Sequence, residues 1–528
     1  GVDRPVIPEA SVIGVSGDPD RELAQRCYAG LARLHAGEDW DRTVPGLNRE
    51  SLRGRLEREL AVIAQLGFAG YFLTVGEVSE LMSGMGVRHA ARGSGVSSLV
   101  VHLLGISPAD PLEYDLVFER FLSPLRPSLP DIDIDMESAQ RHAVYHRIFE
   151  RFGPRRVTLM SMQNAYRSRG AVRDAGLALG LEAQEVDHVA TQLWRVPGGT
   201  LREEIARRPE LAPLAQRLRN NRQLDLLVDL TERLDRLPRH ISMHPCGVIL
   251  SDTTLLQRTP VQASGIGLPM SQYDKHDMDP MGLIKLDILG VRMQSTLAHA
   301  VEEITRLRPH EPPPSLDTMP RDDPDTFRLI SSTHTLGCFQ IESPGQRELI
   351  GTMGPEEFND LVVDISLFRP GPMQAAMVRP YLNARHGWST PTYPHPDLQE
   401  ILAETRGVAV YHEQIMRIMD RMTGCGLARA DIWRRLLGSA SEEPVETAFR
   451  DGARARGYAP DVIDTVWGIL HAFGSFGFCK AHAVAFAVPT YQSAWLKTHH
   501  PEAFMAGVWE HDPGMYPARL LVGEARRM

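Results

Sequence analysis

The run LPDIDIDM at residues 129–136 holds the groups best suited to chemistry in this chain. Isoleucine is β-branched and favours strands, and alternate strand residues share a face. Asp131, Asp133 and Asp135 then point one way, about 6.6 Å apart at ~3.3 Å of rise per residue. Ile132 and Ile134 point the other way, into a core. Carboxylates crowded on one face need a counter-charge, and hard divalent cations with oxygen ligands supply it most simply. A solvated acidic edge is the competing reading. A calcium-binding loop is excluded, because Met136 stands where that loop needs glycine and His142 where it needs glutamate.

Two further stretches bear on the same chemistry. In GLIKLDILG (282–290), Lys285 and Asp287 share a face, with Ile284, Leu286 and Ile288 on the other. A strand of this kind beside the first would add a fourth carboxylate and place an ammonium near any bound phosphate, although an exposed Lys–Asp edge reads equally well. RGSGVSSL (92–99) puts small residues at a strand-to-helix turn, where backbone N–H groups can hold an anion. Arg92 and Ser94 add donors. No GK[ST] follows, and Ser98 stands in place of the third glycine of a dinucleotide motif, so neither nucleotide fingerprint is met. Alone the turn is weak evidence. The order of turn, carboxylate strand and Lys/Asp strand describes a site for a metal-bound polyphosphate.

These residues need elements to position them. RESLRGRLERELAVIAQL (49–66) spaces Leu52, Leu56, Leu60 and Ile63 as one helix, with Gly67 as its C-cap. A second helix is expected near Val75–Met82. A short strand, the turn at Gly93–Gly95 and a helix opening near Ser97 follow, then the acidic strand at 129–136 and a helix over 137–152. Residues 160–240 are rich in Arg and Leu at helical spacing, broken at Pro197-Gly198-Gly199 and at Pro209, and read as a separate small helical domain. Strands are expected again at 244–251 and 282–290, then a proline-rich linker over 308–325, then helices to the end.

Length and composition narrow the class. With 528 residues the chain exceeds one hydrophobic core and implies three or four domains. Apolar residues form 43% and charged residues 23%, a globular balance with no apolar run long enough to span a bilayer. No signal-peptide pattern opens the chain. The 5 cysteines include no CxxC pair, so neither a disulfide framework nor a zinc site is indicated. A net charge of −10 weighs mildly against nucleic acid. Local runs say otherwise: residues 465–501 contain no acidic residue and carry Lys480, Lys497, His471, His482, His499 and His500. Both ends look cut, and the chain is expected to be part of a longer protein.

The blocks GYFLTVGEV (70–78), ARGSGVSSLVVHLLGI (91–106), FERFLSPLRPSLPDIDID (118–135), GLIKLDILG (282–290), CFQIES (338–343), LFRPGP (367–372), VYHEQIMRI (410–418) and FGFCKAHAVAFAVPTYQSAWLK (476–497) occur in an order that resembles bacterial C-family DNA polymerases, the relatives of the replicase alpha subunit. CKAHAVAFAVPTYQSAWLKTHHP and EHDPGMYPARLL are most similar to the error-prone, damage-inducible DnaE-type branch. The replicative branch is the alternative.

The resemblance implies a multidomain, mostly α protein with an α/β palm of the polymerase-β-like nucleotidyltransferase type, a helical thumb insert and helical fingers. The expected boundaries are palm 1–159, thumb 160–240, palm 241–307, linker 308–325 and incomplete fingers 326–528. The N-terminal PHP domain and the C-terminal clamp and oligonucleotide-binding region are expected to be missing. It implies attack of a primer 3′-hydroxyl on the α-phosphate of a dNTP, with two Mg²⁺ ions on the catalytic carboxylates Asp131, Asp133 and Asp287 and with Asp135 in support. Gly93, Ser94, Arg120, Lys285, Lys480 and His482 would bind the dNTP, with Arg369 a weaker candidate. Arg167, Arg169 and Arg173 would grip DNA phosphates. Tyr491 and Trp495, spaced four apart on a helix, read as core residues. Implied partners are primer-template DNA and dNTPs, with a sliding clamp and mutasome accessory proteins for the full-length protein, in the bacterial cytoplasm and nucleoid and with no membrane. A metal-dependent phosphohydrolase or nuclease, and a non-catalytic DNA scaffold, are the rival classes.

Overall fold

The computed structural model describes residues 5–126, 128–193, 196–368, 373–474 and 477–528. These described residues are mostly helical with seven strands: β1 (His89–Arg92), β2 (Asp133–Glu137), β3 (Val157–Ala165), β4 (Pro238–Leu250), β5 (Val261–Ala263), β6 (Pro269–Ser271) and β7 (Ile284–Val291). The chain divides into two compact units. The smaller takes in residues 158–244 and 256–281, and the larger residues 2–157, 245–255 and 282–528.

In the larger unit β2 lies between β1, antiparallel (Arg92↔Asp133), and β7, parallel (Ile134↔Ile288). The last residues of β4 run antiparallel on the far side of β7 (Gly247↔Asp287). Period-two burial follows the sequence. Ile132, Ile134, Ile284, Leu286 and Ile288 are buried, while Asp133, Lys285 and Asp287 are half-buried on the other face. The strand itself starts later than 129. Asp131 precedes β2, and its side chain is 71% exposed, so only Asp133 and Asp135 share the pleat.

Helix Leu52–Leu66 starts at Ser51, whose hydroxyl accepts from the Gly54 N–H, and ends at Gly67 in the left-handed region at φ 71°. The second helix is longer than expected, Ala69–Gly84. The glycine turn is a short 3-10 segment, Gly93–Ser97, and the helix after it has five residues, Leu99–Leu103, capped by Ser98. Helix Arg141–Phe152 closes this part.

The smaller unit is not purely helical. Helices Ser168–Ala178, Ala183–Gln192, Leu201–Arg207, Ala212–Asn220 and Arg222–Leu234 pack a core of Val172, Val189, Leu201, Leu211, Leu224 and Leu227. Beside them, β6 pairs with β3 in parallel and with β5 antiparallel.

Among the described residues every element after β7 is a helix. The proline-rich stretch 308–323 has no regular structure but is pinned. Asp317 pairs with Arg88 at 3.0 Å, and the Gln492 amide donates to the Leu316 carbonyl at 3.0 Å. Tyr491 is core, as its spacing implied, and its hydroxyl accepts from the Asp323 N–H. Among the described residues no single helix is long and apolar enough to cross a membrane.

One buried group in this helical part is at odds with its surroundings. Asp364, on helix Phe358–Leu367, is fully buried, and among the described residues neither carboxyl oxygen has a hydrogen-bond partner. Burial holds its pKa well above the ordinary carboxylate value, opposed only by the Gln346 side chain. A raised folded-state pKa leaves no penalty below the unfolded value near pH 4. The penalty grows as pH rises and the unfolded chain ionises first. Asp364→Asn is therefore expected to raise the thermal midpoint at pH 7, with the gap to wild type closing toward pH 4. A gap independent of pH would contradict a carboxyl that stays neutral in the fold.

Candidate active site

The parallel register of β2 and β7, carried one residue back from Ile134↔Ile288, sets Asp133 beside Asp287. Gly247 lies across from Asp287 on β4, so no side chain faces the carboxylate from that strand. Lys285 and Asp287, two apart on one strand, pair directly, and the same ammonium lies 3.6 Å from Asp131 Oδ1. Two of the expected carboxylates thus meet at one lysine, and the third, Asp133, lies beside Asp287. Asp135 is turned to Arg92, whose Nε is 3.2 Å from Oδ1 but out of line for a hydrogen bond, leaving that oxygen unsatisfied.

Charge in the cluster is under-compensated. Burial raises the Asp133 pKa to about 6, with repulsion from Asp287 and Asp131 adding to it and Lys285 and Arg92 opposing it. Asp135 is pushed up to about 7, again mainly by burial, with Arg92 opposing and Asp133 adding. Asp287 Oδ1 is buried with no hydrogen-bond partner among the described residues. Behind the cluster the buried Tyr71 hydroxyl accepts from the Ile132 N–H at 3.3 Å, fixing the backbone between Asp131 and Asp133. Among the described residues no three His, Cys, Asp or Glu side chains close a metal cage by themselves. Lys285 stands between Asp131 and Asp287. An orphaned buried carboxylate oxygen, mutual repulsion and an all-oxygen donor set fit a hard divalent cation such as Mg²⁺.

The glycine turn opens on these carboxylates. Gly93 adopts φ 70°, which favours glycine, and a Cβ there would stand 3.9 Å from Asp133 Oδ2. Ser94 is half-buried beside it. The helix N-terminus behind the turn is not an open anion site. The buried Glu59 carboxylate already accepts from the Ser98 hydroxyl at 2.8 Å, the Leu99 N–H at 2.9 Å and the Val100 N–H at 3.1 Å. Any phosphate at this turn must use the Gly93–Gly95 backbone instead.

The other expected contacts divide. His482, on the long helix Lys480–His499, packs its ring 4.3 Å from that of Phe486, over which Arg92 also lies at 5.7 Å. Burial and Arg92 hold its pKa down to about 4, so the imidazole is neutral near pH 7. Lys480 does not present a free ammonium. It is 6% exposed and bonds Glu404 at 2.8 Å over the Tyr411 ring. Lys497, from the same acid-free run, is buried against Glu524 at 2.8 Å. In the smaller unit Arg173 pairs with Asp187 at 2.6 Å, and Arg167 and Arg169 are exposed. Arg369 lies outside the described residues.

Arg120 belongs to a group that its own segment does not announce. Helix Leu427–Leu436 carries Arg434 and Arg435, which bond the two oxygens of Asp431 at 2.8 Å each, and Arg126 reaches Asp431 at 4.0 Å. Burial lowers the pKa of Arg126, with repulsion from Arg435 and Arg120 adding to it; burial also lowers that of Arg434, with Arg120 again repelling. Asp131 is among the charges felt by Arg126. Three guanidiniums around Asp431, with Arg120 close enough to repel two of them, leave excess positive charge beside the acidic cluster, an arrangement a polyanion would relieve. The Arg434–Arg435 doublet was visible in the sequence, but nothing there tied it to Arg120 and Arg126.

A site of clustered carboxylates, a glycine turn and a guanidinium group on this sheet fits phosphoryl-transfer chemistry on a polyphosphate. Comparison with known families gives the class. Residues 21–290 match the bacterial DNA polymerase III alpha NTPase domain, and residues 293–457 match the finger domain of the same subunit. The chain belongs to the bacterial DNA polymerase III alpha family. It is 35% identical over 96% of its length to an error-prone DNA polymerase of Symbiobacterium thermophilum, covering 46% of that protein. It is 35% identical over 96% of its length to an error-prone DNA polymerase of Pseudomonas aeruginosa, covering 51%. To a DNA polymerase III subunit alpha of Escherichia coli O157:H7 it is 34% identical over 94% of its length, covering 44%. The chain spans about half the length of the curated relatives it matches.

Proposed function

We propose that this chain carries the catalytic part of a DNA-templated DNA polymerase of the error-prone branch, acting in translesion synthesis. The observation that carries the reading is the pairing of Asp133 and Asp287 across β2 and β7, with Lys285 between Asp287 and Asp131 and the Gly93 turn facing them. On this reading the two-part palm is built on β1, β2, β7 and the end of β4. The thumb is the small unit, with Arg167 and Arg169 free to meet duplex phosphates, and the helices after the linker are fingers. A replicative role is less favoured, because the relatives of this chain include several named as error-prone polymerases.

Asp131, Asp133 and Asp287 would hold two Mg²⁺ ions, and Asp135 with Arg92 would brace the strand. Bound there, such ions acidify a hydroxyl nucleophile and neutralise a leaving pyrophosphate. The chain's own groups do the positioning. The Gly93–Gly95 backbone and Ser94 hold phosphate oxygens, and Arg120, Arg126, Arg434 and Arg435 attract the triphosphate. Neutral His482 closes the dNTP site beside Arg92. Lys285 keeps the carboxylates ionised and turns to phosphate when a dNTP enters. Partners are primer-template DNA and dNTPs, with a sliding clamp and mutasome proteins joining the complete polymerase in the bacterial cytoplasm.

Primer extension on undamaged templates and on templates with one abasic site tests this. The expected result is metal-dependent extension on both, with insertion opposite the lesion. Extension that stops at every lesion would return the protein to the replicative branch, and hydrolysis of dNTP without extension would favour the phosphohydrolase.

A further inference from the structure

Large aromatic side chains seldom stand in water, yet Trp388 is 71% exposed, the most exposed large apolar side chain among the described residues. It is not on a loose end. Helix Met373–Arg385 closes through Gly387 in the left-handed region at φ 71°, and the Trp388 N–H donates to the Asn383 carbonyl at 2.8 Å. Arg385 anchors that end of the helix, bonding Asp360 at 2.6 Å and the Met353 and Gly354 carbonyls at 2.8 and 2.9 Å. His386 donates from Nε2 to the Thr352 carbonyl at 2.8 Å, and its ring lies 4.8 Å from that of Trp388 at an interplanar angle of 31°. One face of the indole is thus backed by a fixed imidazole, and the other is open.

The surrounding sequence has one sign of charge. Residues 373–396 contain no Asp or Glu. Arg379 is exposed, pairs with no carboxylate among the described residues, and lies one helical turn before Asn383, the residue that holds Trp388. A pre-set aromatic face, with an exposed cation on the helix that leads into it and no carboxylate in the segment, suits a ligand with a flat π-face and a phosphate.

We propose that the Trp388–His386 platform binds single-stranded nucleic acid, stacking one unpaired base on the indole while Arg379 meets the backbone. This rests on the polymerase reading and adds a contact for the unpaired template outside the carboxylate site. Every base has a π-face, so the contact tolerates any sequence, as lesion-bearing templates require.

Fluorescence anisotropy with a labelled oligothymidylate of about sixteen nucleotides and with a blunt duplex of equal length tests it. Trp388→Ala is expected to weaken oligothymidylate binding at least about fivefold, the low end for losing one stacked base, while leaving duplex binding and the thermal midpoint unchanged. Trp388→Phe should keep most of the affinity, and Arg379→Ala should flatten the salt dependence. Unchanged oligothymidylate affinity in Trp388→Ala, or an equal loss for strand and duplex, overturns the platform while the polymerase reading stands. A wild-type chain that binds neither DNA overturns both.

Discussion

Replacing Asp133 or Asp287 by Asn is expected to reduce metal-dependent primer extension by about 10²–10³-fold, the scale of losing one preorganised charge-stabilising group, while the protein stays folded. The argument is electrostatic. Both side chains sit half-buried, and their mutual repulsion helps raise the Asp133 pKa to about 6. Removing the Asp133 charge therefore relieves repulsion in the metal-free protein, and the thermal midpoint of Asp133→Asn should equal or exceed that of wild type, whereas Asp287→Asn also gives up the ion pair with Lys285. Calorimetric titration with Mg²⁺ or Mn²⁺ supplies a readout independent of turnover: the substituted protein should lose ion affinity where wild type shows it. Asp135→Asn should be far milder in both assays, because its carboxyl is turned to Arg92. Near-normal extension by either Asp133→Asn or Asp287→Asn would end the two-metal assignment. The same charges set a pH dependence. As pH falls through about 6, Asp133 protonates and ion affinity should fall with it.

The pair Asp133/Asp287 was legible because it rests on local rules. Period-two alternation of Asp with Ile, and of Lys and Asp with Leu and Ile, fixed which side chains face together, and hydrophobic burial enforced it. Asp131 obeyed the spacing but not the strand, since it falls just after Pro130, ahead of the first paired residue. Charge runs misled for a different reason. The acid-free stretch around Lys480 and Lys497 looked like a cationic face, but Glu404 and Glu524, distant in sequence, are brought in to pair with both lysines. The guanidinium group of Arg120, Arg126, Arg434 and Arg435 is the converse, a concentration of charge assembled from segments some three hundred residues apart. Long-range pairing decides such fields, and no local pattern encodes it.

Arg55→Met is expected to destabilise the protein by ~3–5 kcal/mol, the cost of leaving one partner of a buried ion pair uncompensated. Arg55 and Glu59 look like an ordinary helix-surface pair, four apart on Leu52–Leu66, yet both are fully buried. The guanidinium donates to Glu59 at 2.6 Å, to the Ser97 carbonyl at 2.7 Å and to the Leu116 carbonyl at 3.2 Å. Methionine keeps most of the stem volume, so the loss isolates charge and hydrogen bonding from cavity formation. Glu59 would be left in the core without its cationic partner, held only by the neutral donors of Ser98, Leu99 and Val100. Pairing Arg55→Met with Glu59→Met should not restore stability, because three donors at the start of helix Leu99–Leu103 then lose their acceptor. This distinguishes the pair from buried ion pairs that apolar residues can replace. Hydrogen exchange should quicken first across residues 93–103, the turn that faces Asp133, and only later in helix Glu442–Ala455. A midpoint equal to wild type, or exchange that quickens uniformly along the chain, would show that Arg55 and Glu59 do not hold the glycine turn in place.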